Sequence, residues 1–159
     1  MSNIRLLYRS DSELSGSDRA VREAAFAISD AARERNSAEG VTGALMFVGG
    51  VFVQLLEGEG LAVETVFERI CRDPRHRRLT LLDYSQVESL AFDGWGMVAF
   101  EGDTRARSLF QTIGEGTFVR GNRLSANMAV DLMRTLFKKR SARTKEPRVD
   151  RMIATNVMD

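Results

Sequence analysis

The sequence predicts an α+β fold of the ferredoxin-like type, in which a βαββαββ sheet carries two helices on one face and two C-terminal helices on the other. Three observations predict it. Two apolar segments meet at Gly49-Gly50, whose positive φ angles suit a two-residue hairpin. An amphipathic segment lies on each side of that hairpin, as in a split βαβ unit. Two further helical patterns follow the last strand and can cover the second face.

The composition predicts one globular domain. With 159 residues, 43% of them hydrophobic, the chain can bury a core without disulfides or metals. No apolar run approaches the roughly 18 residues of a membrane span, and the start MSNIRLLYRS lacks the pattern of a secretory signal. Cys71 is the only cysteine, so no internal disulfide can form. These features favour the cytoplasm and disfavour a membrane protein.

The N-terminal part predicts a strand followed by a long helix. Ile4–Arg9 has the alternation of a strand, with Tyr8 near its end. Ser17 or Asp18 can cap a helix that runs to about Arg35. The predicted buried stripe of this helix is rich in alanine and consists of Val21, Ala24, Ala25, Ile28, Ala31 and Ala32. Such a face permits close packing on a sheet or close approach of a flat ligand, and the pattern leaves both open.

The predicted hairpin places an amide in an apolar row. Its strands are Val41–Val48 and Val51–Leu56, and residues 57–60 (EGEG) are expected to end the second strand. Side-chain alternation directs Gln54 to the same face as its apolar neighbours two residues away on either side. A buried amide without partners costs roughly 1–3 kcal/mol per unmet group. Gln54 therefore predicts a polar partner on that face.

The remaining elements complete the predicted order. They are a helix at about Val63–Ile70 that Asp73-Pro74 ends, strands at Leu79–Tyr84 and Trp95–Phe100, and helices at Thr104–Thr112 and Ser125–Lys139. We expect a compact core at residues 1–101, a helical cap at 102–140 and a basic, loosely ordered tail at 141–159.

Few enzyme motifs are present. His76 is the only histidine, which excludes a multi-His metal site, and no Walker loop, G-x-S-x-G elbow or G-x-G-x-x-G fingerprint occurs. The segment Arg72–Arg78 (RDPRHRR) could bind an anion or simply end a helix.

Eight Lys or Arg side chains at positions 134–151, against two acidic ones, could contact nucleic acid or an acidic protein, or be solvated. The charge balance gives no strong indication of nucleic-acid binding.

Tyr8 and Gln54 are expected to touch, because the first and third strands form the central pair of a ferredoxin-like sheet. A phenol hydrogen-bonded to an amide is a redox-capable donor beside a group that offers both donors and an acceptor. The same pair could instead only satisfy each other within a core. The residues alone leave both interpretations open.

Six short strings, in order, resemble the BLUF family of blue-light sensors that use FAD. They lie between about Ile4 and Glu101 and read LYRS at 7–10, RN at 35–36, VTGAL at 41–45, GVFVQLLEG at 50–58, RDPRH at 72–76 and GWGM at 94–97. Each string alone is weak, whereas six in the right order make a specific match. The resemblance supplies the partner that Gln54 lacks, which is the edge of a flavin.

The resemblance implies a flavin held between the two helices and photochemical roles for two residues. The tyrosine that matches Tyr8 gives an electron and a proton to the excited flavin, and the glutamine that matches Gln54 bridges the two and rearranges. Trp95, Met97 and Ser10 correspond to residues that relay the change, and which of Trp95 and Met97 faces the flavin is left open. The implied cofactor contacts are Ile28, Arg35, Asn36, Gln54, Asp73, Arg75 and His76.

The resemblance also implies how the signal leaves the protein. Too few residues follow position 103 for a catalytic domain, so the chain resembles short BLUF proteins, which self-associate and act on separate effectors such as cyclic-dinucleotide phosphodiesterases or response-regulator-like proteins. We expect a non-enzymatic sensor, with Met97 and Met128–Phe137 forming its contact surface. Two rivals are an anion- or flavin-binding enzyme on the same fold that uses Arg75 and Asn36, and a nucleic-acid-binding adaptor that uses the basic tail.

Overall fold

A five-stranded sheet with helices on both faces organises the chain. The computed structural model describes residues 2–112 and 123–143. Its elements are β1 (Asn3–Ser12), α1 (Asp18–Ala38), β2 (Thr42–Val48), β3 (Val51–Glu59), α2 (Gly60–Cys71), β4 (His76–Val87), β5 (Val98–Glu101), α3 (Thr104–Thr112) and α4 (Arg123–Arg143). The strand order is β4-β1-β3-β2-β5. The predicted α+β, ferredoxin-like fold is confirmed.

The sheet is built around the antiparallel pair of β1 and β3, as predicted. β2 and β3 form the hairpin, closed at Gly49 and Gly50 with φ angles of 55° and 78°, and β5 adds to β2 in parallel. The register sets Tyr8 directly opposite Gln54 and sets Leu45 opposite Gln54 on the other side. Three neighbouring strands therefore contribute one side chain each to the same spot.

Helices α1 and α2 cover one face of the sheet, which we call the cavity face. The side chain of Ser17 caps α1 by accepting a hydrogen bond from the Ala20 N–H at 3.2 Å. Under the two helices lies an apolar layer that includes Leu6, Leu45, Phe52 and Leu56 of the sheet and Val63 and Val66 of α2. Alternation along each strand produces this layer.

Helices α3 and α4 cover the opposite face, which we call the far face. Its buried layer includes Leu7, Met46, Val53, Leu55 and Phe100 of the sheet with Phe110, Ala129 and Met133 of the helices. The Arg9 guanidinium lies on this side as well and donates from Nε to the Phe110 carbonyl at the end of α3, at 3.1 Å. The prediction that the two C-terminal helices cover the second face is confirmed.

Several predicted boundaries are wrong. Strand β3 does not break at residues 57–60, because β1 continues to pair with it as far as Glu59, and α2 begins at once with Gly60. Strand β4 starts at His76, so the last three residues of the predicted helix-end segment 72–78 lie in a strand. Strand β5 starts at Val98 rather than Trp95. Each error concerns where long-range pairing begins or stops, which local patterns do not determine.

The helix ends also differ from the prediction. Helix α1 continues to Ala38, three residues beyond Arg35, and α4 continues to Arg143, three residues into the predicted tail. Residues 144–159, which hold the rest of that tail, lie outside the described residues. Within residues 2–112 and 123–143, none of the helices is both long enough and apolar enough to span a membrane.

Candidate functional site

A cavity of about 210 Å³ opens between α1 and α2 above the centre of the sheet. Tyr8 and all seven residues expected to contact a cofactor line it: Ile28, Arg35, Asn36, Gln54, Asp73, Arg75 and His76. The remaining lining residues are Ala31, Ala32, Leu45, Phe52, Val66, Arg69 and Ile70. The structure thus brings together residues that are separated by up to 68 positions in the sequence.

One wall of the cavity is the small-residue stripe of α1. Of that stripe only Ala25 is fully buried, whereas Ile28, Ala31 and Ala32 face the cavity. The opposite wall is apolar too and is formed by Val66 and Ile70 of α2. Because the stripe is not closed by protein atoms along its whole length, the arrangement favours a flat ligand over close helix-to-sheet packing at this end.

The floor of the cavity is a hydrogen-bonded phenol and amide. Tyr8 and Gln54 are both buried, with 2% and 7% of their surface exposed, and the Tyr8 hydroxyl donates to Gln54 Oε1. Burial raises the pKa of the Tyr8 phenol well above its usual value, and the Asp73 carboxylate, together with Cys71 once its thiol ionises, raises it further. Tyr8 is therefore a neutral donor throughout the physiological pH range.

The Gln54 amide has a second end that protein atoms satisfy poorly. Its Nε2 donates to the thioether sulfur of Met97 at 3.7 Å, which is a weak acceptor. A primary amide carries two N–H donors, and burying them unmet costs about 1–3 kcal/mol each. The cavity beside Gln54 is therefore suited to a ligand edge that accepts hydrogen bonds.

Met97 and Trp95 occupy opposite environments. Met97 is completely buried and lies on the cavity face beside Gln54. Trp95 is 43% exposed and packs edge-on against Phe137 of α4, with ring centroids 5.2 Å apart. The expectation that Met97 forms part of a partner-binding surface is wrong, because its side chain does not reach the surface.

Asn36 connects α1 to the segment that carries Met97. Its side chain is buried, and Nδ2 donates to the Gly96 carbonyl at 3.0 Å. Gly96 lies so close to α1 that a Cβ there would be 2.2 Å from Ser37 Oγ, so only glycine permits this approach. Asn36 therefore both lines the cavity and fixes the backbone next to Met97.

Ser10 reaches the cavity through His76. Ser10 is fully buried, and its hydroxyl lies 2.7 Å from His76 Nδ1, while His76 Nε2 lies 2.7 Å from the Ile70 carbonyl. Because a carbonyl only accepts, Nε2 carries the proton, and in the neutral ring Nδ1 accepts from Ser10. The imidazole is thus held in one orientation beside Tyr8, with ring centroids 6.0 Å apart.

Charged side chains form the rim. Asp73 accepts from the Arg75 side chain, which is the main reason why the pKa of this carboxyl is lowered. Arg69 binds Glu39 at 2.9 Å and so joins the ends of the two helices. Arg35 is exposed in the last turn of α1. Three guanidinium groups at one opening suit the anionic end of a ligand.

Sequence reasoning missed Arg69 and most of the apolar lining. Leu45 could have been found, because the hairpin register places it opposite Gln54 on the same face. Arg69 carries no such indication, since it precedes the last apolar residue of a helix and its partner Glu39 is 30 residues away. Its place at the opening is visible only in three dimensions.

Fold and site together define a class of protein. The chain is a ferredoxin-like domain with a ligand cavity between its two sheet-covering helices, apolar on both walls, poor in hydrogen-bond acceptors at the floor and cationic at the opening. A flat heteroaromatic cofactor with an accepting edge and an anionic tail fits these three features.

Comparison with known families identifies that class. The family model described as "BLUF: Sensors of blue-light using FAD" matches residues 4–98, and the chain belongs to this family of flavin-dependent blue-light sensors. The blue light- and temperature-regulated antirepressor BluF of Escherichia coli is 39% identical over 70 residues, which is 44% of this chain and 17% of that protein. Subunit beta of the photoactivated adenylate cyclase of Euglena gracilis is 38% identical over 66 residues, 42% of this chain and 8% of that protein.

A solved structure agrees over most of the chain. The photo-activated state of BlsA superposes with a TM-score of 0.66 at 28% identity, covering 83% of this chain and 94% of the BlsA chain. The matched segment is thus nearly all of BlsA but less than a fifth of the two curated relatives. The similarity extends past residue 98 and so includes part of the C-terminal helices.

Proposed function

We propose that this chain is a blue-light photoreceptor that holds FAD between α1 and α2 and converts light into a rearrangement of the Gln54 amide. The single observation that carries this proposal is the Gln54 amide, which is bonded to a neutral phenol at Oε1 and lacks a good protein acceptor at Nε2. An amide in a stable core would have both ends satisfied.

The cavity fits a flavin on its own features. Ile28 and the two alanines beside it would pack against the ring, and Asn36 and Gln54 would hold its polar edge. Asp73, Arg75 and His76 line the cavity and would hold the ribityl and phosphate groups, and Arg35 would add a positive charge there. When bound, a flavin supplies absorption of blue light and strong oxidising power in its excited state.

Tyr8 supplies the electron and the proton. Its hydroxyl already points at Gln54 Oε1, so the proton leaves along an existing hydrogen bond while the ring loses an electron. Because burial holds the phenol neutral, oxidation does not begin from a pre-formed phenolate, and the proton leaves with the electron or after it. Both then return to Tyr8, so the cycle is chemically balanced.

Gln54 remains rearranged after the electron and the proton have returned to Tyr8. During the outward and return transfers the amide exchanges the directions of its donors and acceptor, which changes its hydrogen bonds to the ligand edge. Its neighbour Met97 senses the change because the Met97 sulfur lies 3.7 Å from Gln54 Nε2. Met97 follows Trp95 by two positions in the chain, and Trp95 packs on Phe137 of α4.

We propose that α4 transmits this change to a separate protein and that the chain has no catalytic activity of its own. The relatives support diverse outputs, since one is an antirepressor and another a cyclase subunit. A cyclic-dinucleotide phosphodiesterase or a response-regulator-like protein remains the proposed type of effector, together with self-association. The exposed free Cys71 is compatible with a cytoplasmic location.

The test is an absorption spectrum of the purified chain reconstituted with FAD, recorded before and after blue light. We expect the flavin bands to shift slightly to the red and to return in the dark. Bound FAD whose spectrum is unchanged by light would refute photoreception. Steady turnover of a phosphorylated substrate by the same preparation would support the rival enzyme.

A further inference from the structure

We propose that Glu57 is a positioning residue that holds the β4–β5 loop, residues 88–97, and thereby sets where Met97 meets Gln54. This inference rests on the proposed photoreceptor function. Glu57 lies on β3 three residues after Gln54, and its side chain points to the far face, whereas that of Gln54 points into the cavity. One strand therefore carries the photochemical amide on one side and the loop anchor on the other.

Glu57 is a completely buried carboxylate with partners for both oxygens. Arg5, its cross-strand neighbour on β1, donates from Nε to Oε2 at 3.1 Å. The backbone N–H of Ala91 donates to Oε1 at 2.7 Å. The second bond ties the start of the loop to the central strand of the sheet.

The end of the same loop is held from the cavity face. Gly43 N–H donates to the Trp95 carbonyl at 3.0 Å, Asn36 donates to the Gly96 carbonyl, and Arg33 Nε donates to the Met97 carbonyl at 3.1 Å. Glu57 is thus the far-face anchor, which opposes three anchors on β2 and α1. With both ends fixed, the Met97 sulfur has little freedom to leave Gln54.

Stability alone does not explain a carboxylate at this position. The surrounding layer is apolar, and a buried ion pair is often no more stabilising than hydrophobic side chains of similar volume. What the carboxylate adds is a strong, directional acceptor for one backbone N–H. The bond to Ala91 is therefore the feature that a role in positioning requires.

Loss of this anchor would change the photocycle. A loop released at Ala91 keeps its three bonds at residues 95–97 but loses its anchor to β3, so the position of the Met97 sulfur relative to Gln54 Nε2 is fixed less narrowly. This change alters the relative stability of the two arrangements of the amide and the barrier between them. If the barrier between the two amide arrangements falls by the free energy of one charge-assisted hydrogen bond, the return to the dark state becomes about tenfold faster.

A matched pair of double variants tests this inference. Arg5→Met with Glu57→Gln and Arg5→Met with Glu57→Met both remove the charges and conserve side-chain volume, but only the first keeps an acceptor for Ala91 N–H. Two signals are read from FAD-loaded protein: the dark-recovery rate after a blue pulse, and acrylamide quenching of Trp95, which is the only tryptophan of the chain and lies in the loop.

We expect the Gln variant to recover within about twofold of wild type and the Met variant to recover about tenfold faster, with Trp95 quenched more strongly in the dark. Equal recovery and equal quenching in both double variants would reduce Glu57 to a core ion pair and overturn the inference. Should the Met variant not fold, Ala91→Pro removes the same N–H and leaves Arg5 and Glu57 intact. Unchanged Trp95 quenching in Ala91→Pro would then refute the role.

The two proposals fail in different ways. A wild-type protein without a light-induced shift refutes photoreception, while the comparison of Trp95 quenching in the dark still decides whether Glu57 holds the loop.

Discussion

The two faces of the sheet satisfy their buried polar groups differently. On the far face, the buried Glu57 has a partner at each oxygen, and apolar side chains of the sheet, α3 and α4 form the buried layer of that face. On the cavity face, Gln54 has one good partner and one weak one. Among the described residues, the two buried side-chain atoms without a hydrogen bond are Ser29 Oγ of α1 and Glu39 Oε2 of its C-cap, and neither residue lines the cavity.

This difference separates residues that stabilise the fold from residues that await a ligand. Truncating an apolar side chain of the far face should lower the free energy of unfolding and leave the light-induced spectral shift unchanged. A face that is incomplete should show the reverse.

The largest effect on stability is expected on the far face. Phe110 is fully buried there, and Phe110→Ala should lower the free energy of unfolding by about 3–5 kcal/mol through lost burial and a cavity. Urea denaturation measures it. Met128→Ala on the exposed side of α4 is the control and should change stability by less than about 0.5 kcal/mol. A similar small effect at Phe110 would mean that the far face is not the stabilising core.

The largest effect on function with little effect on stability is expected at Gln54. Gln54→Leu fills nearly the same volume and removes an amide whose Nε2 has only a weak sulfur acceptor, so the free energy of unfolding of the flavin-free protein should not fall and should rise by up to about 1 kcal/mol. The light-induced red shift should vanish while flavin stays bound. The exposed Gln86→Leu is the matched control. A normal shift in Gln54→Leu would contradict the assigned role.

Tyr8→Phe should also abolish the light-induced red shift, and it should change how the free energy of unfolding depends on pH. The Tyr8 pKa is raised in the folded state, so the neutral phenol contributes stability that is fully present below its unfolded pKa of about 10 and declines as pH rises above that value. Stability of the wild type should therefore fall more steeply above pH 10 than that of Tyr8→Phe, when compared by urea denaturation. Parallel pH curves would argue that the phenol is not buried as described.

The smallest effect is expected at the rim. Asp73 is partly exposed, and Arg75 lowers its pKa, so its stabilising contribution is present above the usual Asp pKa of about 3.9 and disappears as pH falls below that value. Asp73→Asn should leave stability at pH 7 within about 1 kcal/mol of wild type and weaken FAD binding several-fold by freeing Arg75 to move. Fluorescence titration with FAD measures the affinity, and riboflavin is the control ligand because it lacks the phosphate. An equal loss of riboflavin affinity would place Asp73 at the ring instead.

Much of the cavity face was predictable because its determinants are local. Alternation along one strand directs Gln54 inward, the alanine spacing of α1 indicates a face that can approach a flat partner, and Gly49-Gly50 sets the hairpin that aligns Leu45 with Gln54. These patterns have periods of two or about four residues and need no knowledge of distant parts of the chain.

The far-face anchor could not be predicted for the opposite reason. Glu57 looks like the first residue of a turn, since EGEG follows an apolar strand, and nothing local indicates that Arg5, 52 positions earlier, lies across the strand from it. The inward place of Met97 and the outward place of Trp95 depend on bonds from Gly43, Asn36 and Arg33 to a loop without periodicity. Long-range pairs of this kind are visible only once the chain is folded.

The Gln54 Nε2 group has only a weak protein acceptor, and the NMR signals of this side-chain NH₂ group test most directly whether a flavin completes its hydrogen bonds. In 15N-labelled protein, assigned by loss of the signals in Gln54→Leu, the two amide protons should move downfield when FAD is added in the dark and move again under blue light. Amide signals that stay unchanged on addition of saturating FAD would show that the ligand is not the missing partner.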